Sequence, residues 1–272
     1  MLTFRKTIAA GLVATLTTLI TMSAVQAATQ CTAQSGARTV ALLELYTSEG
    51  CSSCPPTDAW VSKLPTAGFS RDRVIPLALH VDYWDYIGWK DRYANPAYSG
   101  RQREMARVGG AGFVYTPQVM LSGKDFRGSG SNAKLGDAVN GINQTQPKAS
   151  IALTLTLTLN PASPQLLELT GNVTIPNTPD RAHAQVYLAL YENGLYSEVK
   201  AGENRGEKLS HDYVVRELIG PLAMEAGGRL NLMRNLNLKP EWKTKDSGIA
   251  VFVQNGKTGE VLQALALPLC SG

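Results

Sequence analysis

Cys51-Ser52-Ser53-Cys54 places two thiols three residues apart, directly after an apolar run and directly before Pro55-Pro56. Prolines are tolerated in the first turn of a helix, whose N–H groups lack helical partners, so the cysteines sit where a helix begins. Those N–H groups favour a thiolate on the first sulfur. Two sulfurs at this spacing can close a small disulfide and exchange it with other thiols. The same pair could instead be an inert staple or part of a metal site. A zinc site would need further ligands at suitable spacing, and no second pair of this kind exists. The three histidines, His80, His183 and His211, are scattered. A copper-handling role for Cys51, Cys54 and His80 stands as the alternative chemistry. The leading reading calls for no metal and no cofactor.

The elements around the cysteines read as α/β. Val40–Tyr46 is a nearly continuous apolar run, as in a strand buried on both faces. The helix after the cysteines carries Trp60, Val61 and Leu64 on one side and stops at Pro65. Val74–Val81 reads as a second interior strand, which completes a βαβ unit with parallel strands. Pro96–Val108 is helical in composition, with Arg101, Arg103 and Arg107 on a solvated side. Phe113–Leu121 is strand-like around Pro117, and Asn132–Gln144 is a closing helix with Leu135, Val139 and Ile142 inward.

After Pro147 the pattern becomes period two: Ile151, Leu153, Leu155, Leu157 and Leu159 alternate with Ala and Thr. Further alternating runs follow, with proline-rich turns at 161–164 and 176–179. Asn193-Gly194 and Asn255-Gly256 are hairpin turn signals. Short strands at regular spacing indicate a β-sandwich. The expected organisation is a leader at 1–27, an α/β domain at 28–148 and an all-β sandwich domain at 149–272. In the last, Asn204, His211, Tyr213 and Arg216 form a polar cluster, and His211 reads as hydrogen-bonded structure.

Arg5 and Lys6, an apolar stretch to Met22 and small residues at Val25-Gln26-Ala27 are arranged as a secretory signal, which places the mature chain in the periplasm or outside the cell. The formal charge of +4 falls to +2 without Arg5 and Lys6, too little to argue for nucleic acid or an anionic membrane. Outside the cytosol, four cysteines should be paired or redox-active. Of the three possible pairings, a local Cys51–Cys54 pair leaves Cys31 with Cys270, a structural tie between the mature termini worth about 5 kcal/mol at most.

Glu44–Pro56 together with Phe113–Val119 resembles the active-site strand–helix and the proline loop of the thioredoxin superfamily. More narrowly, LYTSEGCSSCPPTD, HVDYWDYIGWKD and VYTPQV resemble a family of secreted bacterial thioredoxin-like proteins catalogued as a domain of unknown function, over nearly the whole mature chain. The resemblance implies a thioredoxin-like domain and a protein or peptide disulfide as substrate, with an unknown redox partner for recycling. It implies Cys51 as the attacking thiol, reachable by substrate, and Cys54 as the more buried resolving thiol. Pro117 would be the cis-proline, with Thr116 presenting backbone groups to a bound peptide. Glu44 would take the place of the buried acid that relays a proton to the resolving thiol, though Glu stands for Asp and one residue is extra before Cys51. The stretch from Cys54 to Pro117 is longer than in minimal thioredoxins. Its Tyr83, Trp84 and Trp89 form either a rim that chooses the substrate or a satellite core beneath a long loop.

Overall fold

The computed structural model describes residues 1–3, 28–158 and 165–270; residues 4–27 of the leader expected at 1–27, Leu159 and the turn at 161–164 lie outside them. The chain runs β1 (Ala28–Gln34), β2 (Ala41–Thr47), α1 (Pro55–Ser62), β3 (Val74–His80), α2 (Pro96–Val108), β4 (Gln118–Leu121), β5 (Lys124–Asp125) and α3 (Asn132–Asn143). It continues as β6 (Ser150–Thr158), β7 (Gln165–Thr174), α4 (Thr178–Arg181), β8 (Ala184–Glu192), β9 (Leu195–Glu198), β10 (Lys208–His211), β11 (Val214–Ala223), β12 (Arg229–Leu238), β13 (Ser247–Asn255) and β14 (Val261–Pro268). None of the described helices is long and apolar enough to cross a membrane.

The first half is the expected thioredoxin-like α/β unit. β2 and β3 are parallel, from Ala41 opposite Val74 to Thr47 opposite His80, with α1 as the crossover. β4 pairs antiparallel with β2, and β5 with β4. Every residue of β2 and β3 is buried because helices cover both faces. Ala41, Leu43 and Leu45 pack with Val61 and Leu64 after the cysteines and with Leu135 and Val139 of α3. Leu42 and Tyr46 face the other way, onto Tyr98 and Met105 of α2. Asn95 starts α2 by accepting a hydrogen bond from the Ala97 amide at 2.9 Å.

The second half is a sandwich, but one of its layers is the first half's own sheet. An eight-stranded sheet runs β14-β13-β8-β11-β3-β2-β4-β5, joined where β11 meets β3 in parallel at Val214 and Ala78. A four-stranded sheet, β1-β6-β7-β12, packs on its far end. Between the layers lie Leu153, Leu155, Leu167 and Leu169 on one side and Val186, Leu188, Val251 and Val253 on the other. β8 and β13 are buried on both faces, since Tyr187, Ala189 and Phe252 turn toward α2.

Three expectations change. The boundary at residue 148 marks a change of pattern along the chain, not a separation in space: β1 belongs to the four-stranded sheet, pairing with β6 from Ala28–Thr158 to Gln34–Ala152. Asn193-Gly194 does not close a hairpin between its flanking strands, because β8 is taken by β11 and β13 and β9 pairs, among the described residues, only with β10. Instead Asn193 donates to the Asp246 carbonyl and accepts from the Tyr213 amide, tying three loops together. Arg101 is buried rather than solvated. Asn255-Gly256 does join antiparallel partners, β13 and β14.

Candidate functional site

Cys51 and Cys54 are joined as a disulfide at the start of α1, and Cys31 is joined to Cys270 with Cα atoms 5.7 Å apart. The Cys54 carbonyl accepts the first two hydrogen bonds of the helix, from the Thr57 and Asp58 amides. Ser53 Oγ lies 3.3 Å from Cys51 Sγ and donates to the Thr116 carbonyl at 3.5 Å, so the proline loop stands beside the disulfide. The Thr116–Pro117 peptide is cis.

Both sulfurs are covered, and Cys51 is 0% exposed. The accessible attacking cysteine is therefore corrected: in the oxidised protein it lies beneath a cover. Part of that cover is the segment between β9 and β10. Asn204 donates to the carbonyls of Glu49 and Cys51, and the Glu203 carboxylate accepts from the Ser52 amide at 2.9 Å. That amide holds the Glu203 carboxyl below its ordinary range. A Cβ on Gly50 would lie 3.0 Å from the Cβ of Trp84, so a larger residue there would need the Trp84 segment to give by a few tenths of an ångström.

Glu44 faces away from the cysteines. Its neighbours Leu43 and Leu45 point to α1, so strand alternation sends Glu44 to the α2 face. There Arg101 donates to it at 2.6 and 3.1 Å, and Tyr46 at 3.2 Å. The guanidinium also reaches Gln254 of β13 and lies over the rings of Tyr187 and Phe252. Glu44 is a salt-bridged structural acid, and the relay to Cys54 is corrected. Tyr83, Trp84 and Trp89 are half-buried supports: Tyr83 donates to Gln102, Trp84 to Thr116 Oγ1 at 2.7 Å and Trp89 to Glu49 at 2.7 Å. The exposed aromatics nearby are Tyr86 and Phe113.

On the α1 face, beneath the cysteines, lies a set of buried ionisable groups. Asp58, one turn after Cys54, accepts from Thr47 Oγ1 at 2.9 Å. Burial pushes its carboxyl above the usual range, opposed by the nearby His211 and His80. His80, at the end of β3, donates through Nδ1 to Asp91 at 2.7 Å. Burial disfavours the charged imidazole, but Asp91 outweighs it and the His80 pKa is raised. Burial likewise works against the Asp91 charge, yet His80 and the amides of Glu49 and Tyr93 hold its carboxyl below the usual range. His211 of β10 lies with Nε2 3.3 Å from Glu49. The copper set of Cys51, Cys54 and His80 is not what converges: both sulfurs are in a disulfide, and His80 gathers with Asp58 and His211.

A family model described as "Protein of unknown function (DUF1223)" matches residues 42–254. The chain belongs to this family. A comparison with curated proteins gives no match. Among solved structures, the DUF1223 chain is similar to protein AGR_C_4864 from Agrobacterium tumefaciens, at 24% identity and a TM-score of 0.61, over 86% of this chain and 96% of that one. It is also similar to HBP35 of Porphyromonas gingivalis, at 16% identity and a TM-score of 0.63, over 86% of this chain and 76% of that one. At these identities the likeness is one of fold.

Sequence reading of this DUF1223 chain missed Glu49, Asp58 and Asp91 and left His211 outside the site. Asp58 carried a signal, since it stands one helical turn before Val61 on the apolar side of α1. His211 carried none, because its approach depends on how β10 packs against α1.

Proposed function

We propose that the protein is an exported thiol–disulfide oxidoreductase acting on protein or peptide disulfides. The observation that carries this reading is the Cys51–Cys54 disulfide at the N-terminus of α1, with the Thr116-Pro117 loop against it. The signal-like residues at 1–27 support a periplasmic or secreted setting. In the reduced protein the helix start favours a Cys51 thiolate. That thiolate attacks one sulfur of a substrate disulfide, forming a mixed disulfide and expelling the other sulfur as a thiolate. The Cys54 thiolate then attacks Cys51 Sγ, which re-forms the internal disulfide and expels the second substrate sulfur. Two electrons pass to the substrate, and its two thiolates take up the protons lost by Cys51 and Cys54. The reverse sequence oxidises a dithiol. Thr116 offers backbone groups to a bound peptide, and the exposed Phe113 on the same segment and Tyr86 offer apolar contact.

The test is a redox titration with glutathione combined with trapping. The wild-type pair should equilibrate at a defined potential, and Cys54→Ser should hold substrates on Cys51 as mixed disulfides that dithiothreitol releases. A Cys51–Cys54 bond inert to glutathione over hours, with no trapped species, removes the assignment.

A further inference from the structure

We propose that Asp58, His80 and His211 form a binding site for a divalent first-row transition ion of the zinc type, built into the junction of the two halves. Their ligand atoms all lie within 4.8 Å of one another, and the three residues are 7%, 0% and 4% exposed. An ion at about 2.0–2.2 Å from each atom would draw that triangle inward by at most about 1.5 Å, within reach of side-chain adjustment. Two imidazoles and a carboxylate, with no thiolate, make a donor set suited to such ions.

Three further observations point to an ion rather than to a packed histidine pair. First, His80 Nε2 and His211 Nδ1 are buried with no hydrogen-bond partner among the described residues, while His211 Nε2 faces Glu49 Oε1 at 3.3 Å outside hydrogen-bond geometry. Buried polar atoms left unpaired are costly, and a metal bond would satisfy the lone pairs. Second, each histidine has a carboxylate behind it. Asp91 accepts a hydrogen bond from His80 Nδ1–H, which in the neutral ring leaves Nε2 with a lone pair for a metal, and Glu49 lies 3.3 Å from His211 Nε2. Both carboxylates are themselves fixed, Asp91 by the amides of Glu49 and Tyr93 and Glu49 by Trp89. A carboxylate oriented behind a ligating imidazole is the usual support of metal-bound histidine. Third, the buried charge does not balance: Glu49, Asp58 and Asp91 face two imidazoles, and none of the three forms an ion pair with a lysine or arginine among the described residues. A divalent cation supplies the missing positive charge. A cavity of about 370 Å³ between α1 and β10, lined by Pro55, Asp58, Lys208 and His211 among others, gives a way in.

The test uses the full mature chain with both disulfides intact, stripped with a chelator and reloaded with Zn(II) or Co(II). Elemental analysis after dialysis should return one zinc per chain, and the cobalt form should show d–d bands without sulfur charge transfer. On zinc addition the imidazole NMR signals of His80 and His211 should shift while that of the exposed His183 stays. Asp58→Asn and His211→Gln should abolish retention, and Asp91→Asn should weaken it by about 10–100-fold. The wild-type cobalt and histidine readouts decide the matter even if a variant fails to fold. A folded wild-type chain that retains neither ion, or whose zinc shifts His183 alone, overturns the site. Loss of metal on substituting Cys51 and Cys54, with Asp58→Asn still loaded, overturns it as well.

Discussion

At the scale of residues, the chemistry depends on how a sulfur that is 0% exposed becomes reachable. Two neighbours in the cover hold the Cys51 region by different kinds of bond. Asn204 donates neutral hydrogen bonds to the Glu49 and Cys51 carbonyls, whereas Glu203 accepts from the Ser52 amide as a carboxylate. The pKa of Glu203 is lowered in the folded protein, so its contact is fully present above the ordinary glutamate range and is lost as pH falls through the lowered value. Reduction of Cys51–Cys54 by a phosphine, which works in acid, should therefore be several-fold faster in Glu203→Ala than in wild type at pH 7. That difference should persist through the usual glutamate range and close only at pH values below it. Asn204→Ala should accelerate reduction at both pH values. Equal rates for all three proteins at pH 7 would mean that access to the disulfide does not run through this segment.

At the scale of elements, α2 is fastened by a charge pair rather than by its apolar face alone. Arg101 and Glu44 are 6% and 1% exposed, and Arg101 extends the link to Gln254 of β13. Replacing Arg101 by Met leaves a buried carboxylate without its partner, a change that typically costs about 3–5 kcal/mol. Urea unfolding should show that loss, and the double variant Glu44→Leu/Arg101→Met should recover much of it. A single variant within about 0.5 kcal/mol of wild type would mean that water reaches Glu44. The same pair marks the limit of what the chain reveals in linear form. The βαβ unit was legible because buried parallel strands and a proline-started helix leave local marks. Arg101 looked solvated because a helix dense in arginine has no local sign of which one turns inward. Asn193-Gly194 looked like a hairpin because turn chemistry is local, while the residues paired with β8 lie 22 to 38 positions further on in β11 and 55 to 71 further on in β13. The doubly apolar run of β8 and β13 did hold the clue that both faces are covered.

At the scale of the whole molecule, the shared sheet makes the two halves one folding unit. β11 joins β3, α2 packs on strands of both halves, β1 pairs with β6, and Cys31–Cys270 ties β1 of the four-stranded sheet to the segment after β14 of the eight-stranded one. The ionisable cluster follows the same logic, since Glu49, Asp58, His80 and Asp91 come from the first half and His211 from the second. Cutting after residue 148 would strip Tyr187, Ala189 and Phe252 from α2 and leave the edge of β3 unpaired where β11 docks, exposing apolar surface and open backbone groups together. Calorimetry of the mature chain with its disulfides intact should accordingly give one transition whose van't Hoff and calorimetric enthalpies agree. Residues 28–148 alone should lack a cooperative melt. Two resolved transitions, or a first half that folds alone and exchanges disulfides at the full rate, would mean that the second half is an attachment. The redox site would then owe nothing to the strands beside it.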